Sequence, residues 1–196
     1  MSRIKVFLLT TLLLLFVTGC TDDYRADVSC NCVELQEDGT VNAVIVEPFQ
    51  EEYYSEQELV SMVEDEINKF NSSSMSGKMS VKDHAVNNGV VSLALNFTNT
   101  DAYNEYMPDR VFIGTLKEAY DDGIDFNRSL WVVGKGEATI GKNDLLKMED
   151  SKLVIVDGPY MVRCPSKVKY YSQGMYIIDE NTVISDSEGQ FFVIYK

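Results

Sequence analysis

Leu153-Val-Ile-Val-Asp157, Tyr160-Met-Val-Arg-Cys164, Lys167-Val-Lys-Tyr-Tyr171, Met175-Tyr-Ile-Ile178, Thr182-Val-Ile-Ser185 and Gln190-Phe-Phe-Val-Ile-Tyr195 decide the fold. Each run is short, rich in β-branched and aromatic residues, and most are bounded by turn chemistry such as Asp157-Gly158, Ser172-Gln-Gly174 and Ser187-Glu-Gly189. That pattern predicts six consecutive strands. Upstream of them lie Leu130–Val133, a further strand, and a helical turn near 144–148.

The first two-thirds of the chain reads differently. Ser55-Glu-Gln-Glu58 is a capping box, with Tyr54 and Leu59 placed for a hydrophobic staple. Leu59, Val60, Val63, Ile67 and Phe70 then recur at steps of three and four, which predicts a helix over 55–71 with one buried face. Before it, Cys32–Leu35 and Thr40–Val46 flank a Gly39 turn as a hairpin, ended by Pro48. After it, strands near 80–86 and 89–97 join at Asn87-Asn-Gly89, a short helix at 100–106 stops at Pro108, and Thr115-Leu-Lys-Glu118 opens another that ends at Gly123. Helices early and strands late give an α+β fold with an N-terminal hairpin and helix and a C-terminal antiparallel β-rich part.

The start of the chain is an address. Arg3 and Lys5 precede an apolar run from Val6 to Val17, too short to span a bilayer of ~30 Å but right for a secretory signal peptide. Val17-Thr-Gly-Cys20 resembles the lipobox of bacterial lipoproteins. That resemblance implies cleavage before Cys20 and a diacylglyceryl group on its sulfur. The chain then divides into a leader 1–19, a lipidated Cys20 with polar tether to 29, and a folded body 30–196. Glu47-Pro-Phe49 with Tyr53-Tyr54, Phe112-Ile-Gly-Thr115, Pro165–Tyr170 and Val193–Lys196 also resemble uncharacterised cell-envelope lipoproteins of Gram-positive anaerobes. This resemblance implies an extracytoplasmic, membrane-anchored location and brings no activity with it.

Charge limits the partners. The 196 residues carry 31 acids, 17 bases and one His, a net charge of −14. Loss of Arg3 and Lys5 with the leader leaves 15 bases and a net charge of −16. So acidic a body excludes nucleic acid as a partner and stands off anionic headgroups. The expected partners are the membrane, through the lipid on Cys20, and an envelope protein or glycan.

No convergent catalytic set is visible, and no cofactor or metal is expected. Gly136-Glu-Ala-Thr-Ile-Gly-Lys142 matches most of a phosphate-binding loop, but Asn143 stands where Ser or Thr would hold Mg²⁺, and Thr139 and Ile140 resist the backbone angles of an anion cradle. A turn between two elements is the expected reading. Asp121, Asp122 and Asp125, like Asp179, Glu180 and Asp186, lack the alternating spacing of a calcium loop and read as solvated turns. His84 reads as a solvent-facing strand residue. The aromatic residues near the C-terminus read as strand packing.

Cys30, Cys32 and Cys164 remain after Cys20. Export permits a disulfide from Cys32, or from Cys30, to Cys164; reduced, partly buried thiols are the other state. Two functions follow as expectations: a non-enzymatic, lipid-anchored binding module, and an exported hydrolase using two carboxylates, one with a raised pKa.

Overall fold

The computed structural model describes residues 30–51, 55–107 and 111–196. The leader, Cys20, the tether, Tyr54 with its staple, and Pro108 lie outside those residues. Among the described residues, thirteen strands form two sheets accompanied by four helices, an α+β arrangement dominated by β-structure.

The N-terminal hairpin comprises β1 (Asn31–Leu35) and β2 (Val41–Pro48). Helix α1 (Glu56–Ser73) begins at Ser55, whose Oγ accepts from the Glu58 amide at 3.3 Å. The next hairpin is β3 (Met79–Asn87) and β4 (Val90–Phe97). Its turn needs two left-handed residues, supplied by Asn88 at φ 51° and Gly89 at φ 75°. Then come α2 (Thr100–Tyr106), β5 (Val111–Thr115) and α3 (Leu116–Asp121). The Thr115 box is reciprocal: its Oγ1 accepts from the Glu118 amide, and Glu118 Oε2 accepts from the Thr115 amide. β6 (Leu130–Val132), β7 (Thr139–Ile140) and α4 (Lys142–Leu145) lead into the final run. That run holds β8 (Lys152–Asp157), β9 (Tyr160–Arg163), β10 (Val168–Ser172), β11 (Met175–Ile177), β12 (Thr182–Ser185) and β13 (Gln190–Tyr195).

The finer layout differs from the expectation. The six late strands do not build one antiparallel unit. They divide between two sheets: β9, β11 and β12 join the N-terminal hairpins in a seven-stranded sheet ordered β11-β12-β9-β1-β2-β4-β3, while β8, β10 and β13 join β5, β6 and β7 in a six-stranded sheet ordered β5-β8-β13-β10-β6-β7. β1 and β9 run parallel, with Val33 opposite Val162. The reason is visible in the side chains. β8 and β13 are apolar at every interior position, which suits strands covered on both faces. Their alternate residues serve two cores. Val154, Val156 and Val193 face the seven-stranded sheet with Val33, Ala43 and Val162. Leu153, Ile155, Phe192 and Ile194 face the other way, under Leu116, Ala119, Phe126 and Leu145. Sequence reading passed over two strands: β5, because Val111–Thr115 is only five residues and ends in a helix cap, and the two-residue β7, which lies in the stretch read as a turn.

Candidate functional site

The residues singled out by sequence do not converge. His84 is half-exposed and faces α1, its Nε2 3.5 Å from Glu56 Oε1. Gly136 to Ile140 forms part of the turn and the second strand of the β6–β7 hairpin, and the four-residue helix that starts at Lys142 has no side-chain cap at Gly141. Asp125 accepts from the Asn127 amide, Asp179 from the Asn181 amide, and Lys167 pairs with Glu180. No group of three or more His, Cys, Asp or Glu side chains among the described residues is placed to hold a metal ion. Of the C-terminal aromatics, Tyr160, Phe191, Phe192 and Tyr195 are core residues, whereas Tyr176 lies exposed beside Ile177 and Ile178.

The three cysteines are thiols in this structure. Cys32 pairs across β1 with Val44 and Met161 and clusters with Ala94 on the outer face of the seven-stranded sheet. Cys164 belongs with Val162 to the inner core, where burial pushes its thiol up to about 12. Cys32 and Cys164 therefore face opposite sides of one sheet. Cys30, half-buried before β1, accepts from the Met161 backbone.

Two concave regions stand out. The first, about 670 Å³, is an acid-lined cleft between the β1–β2 turn, the start of α2, and β5 with α3. Glu37, Asp101, Glu118, Asp121 and Asp122 line it, against Lys152. Two of these acids are already committed. Glu118 accepts from the Thr115 amide at 2.7 Å and from its hydroxyl at 2.8 Å, bonds that hold its carboxyl below the usual range. Asp121 pairs with Lys117. Asp38, Glu105 and Asp179 are likewise held low by donated hydrogen bonds, the opposite of what an acid catalyst requires.

The second region is apolar and surrounds α1. This 18-residue helix buries Ile67 and leaves Met62 68% exposed. A groove of about 440 Å³ runs on its β2 side, over Ile45, Phe49, Leu59, Met62 and Val91. Another, about 470 Å³, runs on its β3 side over Val60, Val63, Ile67, Val81 and His84. Leu59, Val91 and Leu93 line both. The charged residues on the two linings are Glu47, Glu58 and Glu64, and no Lys or Arg joins them. Met62 escaped sequence analysis because it sits off the Leu59–Val63–Ile67–Phe70 stripe; a helical wheel would have shown it as an apolar residue facing away from the core.

Comparison of the chain with protein-family models, curated proteins and solved structures finds no match. Function is therefore argued from the geometry of these surfaces. No helix among the described residues is long and apolar enough to cross a membrane.

Proposed function

We propose that the protein is a lipid-anchored, extracytoplasmic binding module that holds a partner protein against the surface around α1. The observation that carries this reading is the pair of apolar grooves that flank a helix with one buried residue and a 68% exposed Met62. Apolar surface left continuous on a folded body marks an interaction site. The anchoring half of the proposal comes from Val17-Thr-Gly-Cys20 and the charged, apolar leader before it. Two or more acyl chains anchor stably where one does not.

Two measurements test the two halves. The mass of the native protein should correspond to residues 20–196 plus a diacylglyceryl group, and Cys20→Ser should abolish both that mass and partition into detergent. A photoreactive residue at position 62 should form one discrete adduct on intact cells, and one at Glu137, far from α1 in sequence and exposed, should not. Equal or absent labelling at both positions overturns the binding reading.

A further inference from the structure

Among the described residues, strand β3 ends the seven-stranded sheet, and its outer edge lies beside α1. Asn87 and Val90 flank the two-residue turn and form a hydrogen-bonded pair, so alternate residues back along the strand aim their backbone groups at β4. Asp83 and Ala85 turn inward in this way, which sets the amides and carbonyls of His84 and Val86 on the outer edge. Across the bulge between Val81 and Asp83 the alternation resumes, with Ser80 inward and Met79 and Val81 outward.

Two side chains report the outward direction directly. Asn71 at the end of α1 donates to the Met79 carbonyl at 2.9 Å and accepts from the Met79 amide at 2.8 Å, the two bonds a neighbouring strand would make. Asp83 Oδ1 accepts from the His84 amide at 2.9 Å. In a strand, residues that share an in-plane direction also share a face. The outward residues Val81 and His84 line the groove whose far wall is Val60, Val63 and Glu64 of α1. A segment laid along this edge would drop every second side chain into that groove.

Resting on the binding reading above, we propose that an extended, basic segment of a partner protein adds to β3 as an eighth strand and seats alternate apolar side chains between β3 and α1. The length fits: Val81 to Val86 is about 17 Å, the reach of five or six extended residues. The charge selects the chemistry. Glu64 lines the groove with no Lys or Arg, Glu56 lies against His84 at its rim, Asp83 on the edge strand is matched by Lys82, and the chain as a whole carries a net charge of −14. Intervening side chains point to the sheet face opposite α1, so Lys or Arg there gains from the net negative charge of the chain, which repels an acidic segment.

The test uses the full chain in detergent with three six-residue probes: alternating Lys-Val, alternating Glu-Val, and Lys-Val with a central Pro. Alternating Lys-Val should shift and protect the Val81 and Val86 amides in NMR spectra, more weakly as salt is raised, and bind about tenfold more tightly than the other two. Val86→Pro removes one edge donor and should weaken binding about fivefold. Val60→Trp fills the groove without touching the edge and should weaken it as well. Equal binding of all three probes, or shifts confined to the Ile45–Met62 side, overturns the proposal. Protection of the same amides in the free chain that grows with protein concentration would also overturn it, by making a second copy the occupant. A discrete adduct at position 62 together with no probe binding would reject the added strand and leave the binding module standing.

Discussion

The two sheets are covered by opposite strategies. On the six-stranded sheet, helices of six and four residues seat Leu116, Ala119 and Leu145 on Ile155 and Phe192 and close a second core. On the seven-stranded sheet, the much longer α1 lies over β3 and β4 with Ile67 alone buried. Helix length thus says little about sealing; the residues that face the sheet decide it. The short helices supply Leu and Ala from two directions and the loop adds Phe126, which packs edge-on to Phe192 at 5.6 Å. α1 spreads its apolar residues too widely around the axis to bury them all, and polar Asn68 and Asn71 share its groove.

That contrast can be broken by truncation. Phe192 is wholly buried, meets Phe126, and carries the Arg128 guanidinium 4.0 Å above its ring. Phe192→Ala should cost about 3–5 kcal/mol in urea unfolding. Ile67→Ala removes the only buried residue of α1, beside a groove that can relax or admit water, and should sit near the bottom of the usual aliphatic range, about 2 kcal/mol. Equal losses would mean that both sheets are sealed alike and that the contrast is false.

Local signals in the sequence marked nearly every element: Asn87-Asn-Gly89 gave a two-residue turn, Thr115…Glu118 a reciprocal box, and each late run became a strand within a residue or two. What the sequence could not display was partnership. Nothing in Tyr160–Arg163 says that it runs parallel to Asn31–Leu35, a pairing across more than a hundred residues, and nothing in Cys32 or Cys164 says that they face opposite sides of one sheet. Periodicity fixes which residues share a face, and only the assembled sheet fixes what that face meets. The same gap hid the candidate surface. The stripe on α1 was legible, yet how much of it is covered depends on which β3 and β4 residues face it, here Val81, His84, Val91 and Leu93.

A smaller effect separates capping from covering. Thr115→Ala should cost about 1 kcal/mol, the loss of one cap at α3. It should also change the response to acid. Hydrogen bonds from Thr115 hold Glu118 below its usual range in the folded state, so their contribution is present above the unfolded pKa and is lost as pH falls through the lower folded value. Urea midpoints of wild type and Thr115→Ala should therefore converge in acid below about pH 4. A constant gap from pH 7 to pH 3 would show that Glu118 takes no part.

The smallest effect is the most telling. A methionine exposed to 68% contributes little to folding, so Met62→Ser should shift stability by no more than about 0.5 kcal/mol, within the range of ordinary surface changes. A core residue in the same helix cannot be removed so cheaply, as Ile67→Ala would show in parallel. If Met62→Ser left the urea midpoint in place and abolished the position-specific adduct from a neighbouring photoreactive residue at Glu58, the apolar surface of α1 would be kept for something other than stability. A loss approaching that of Ile67→Ala would show the reverse: that Met62 closes over the sheet in solution, and that the open side of α1 is an incompletely filled core with no claim on a partner.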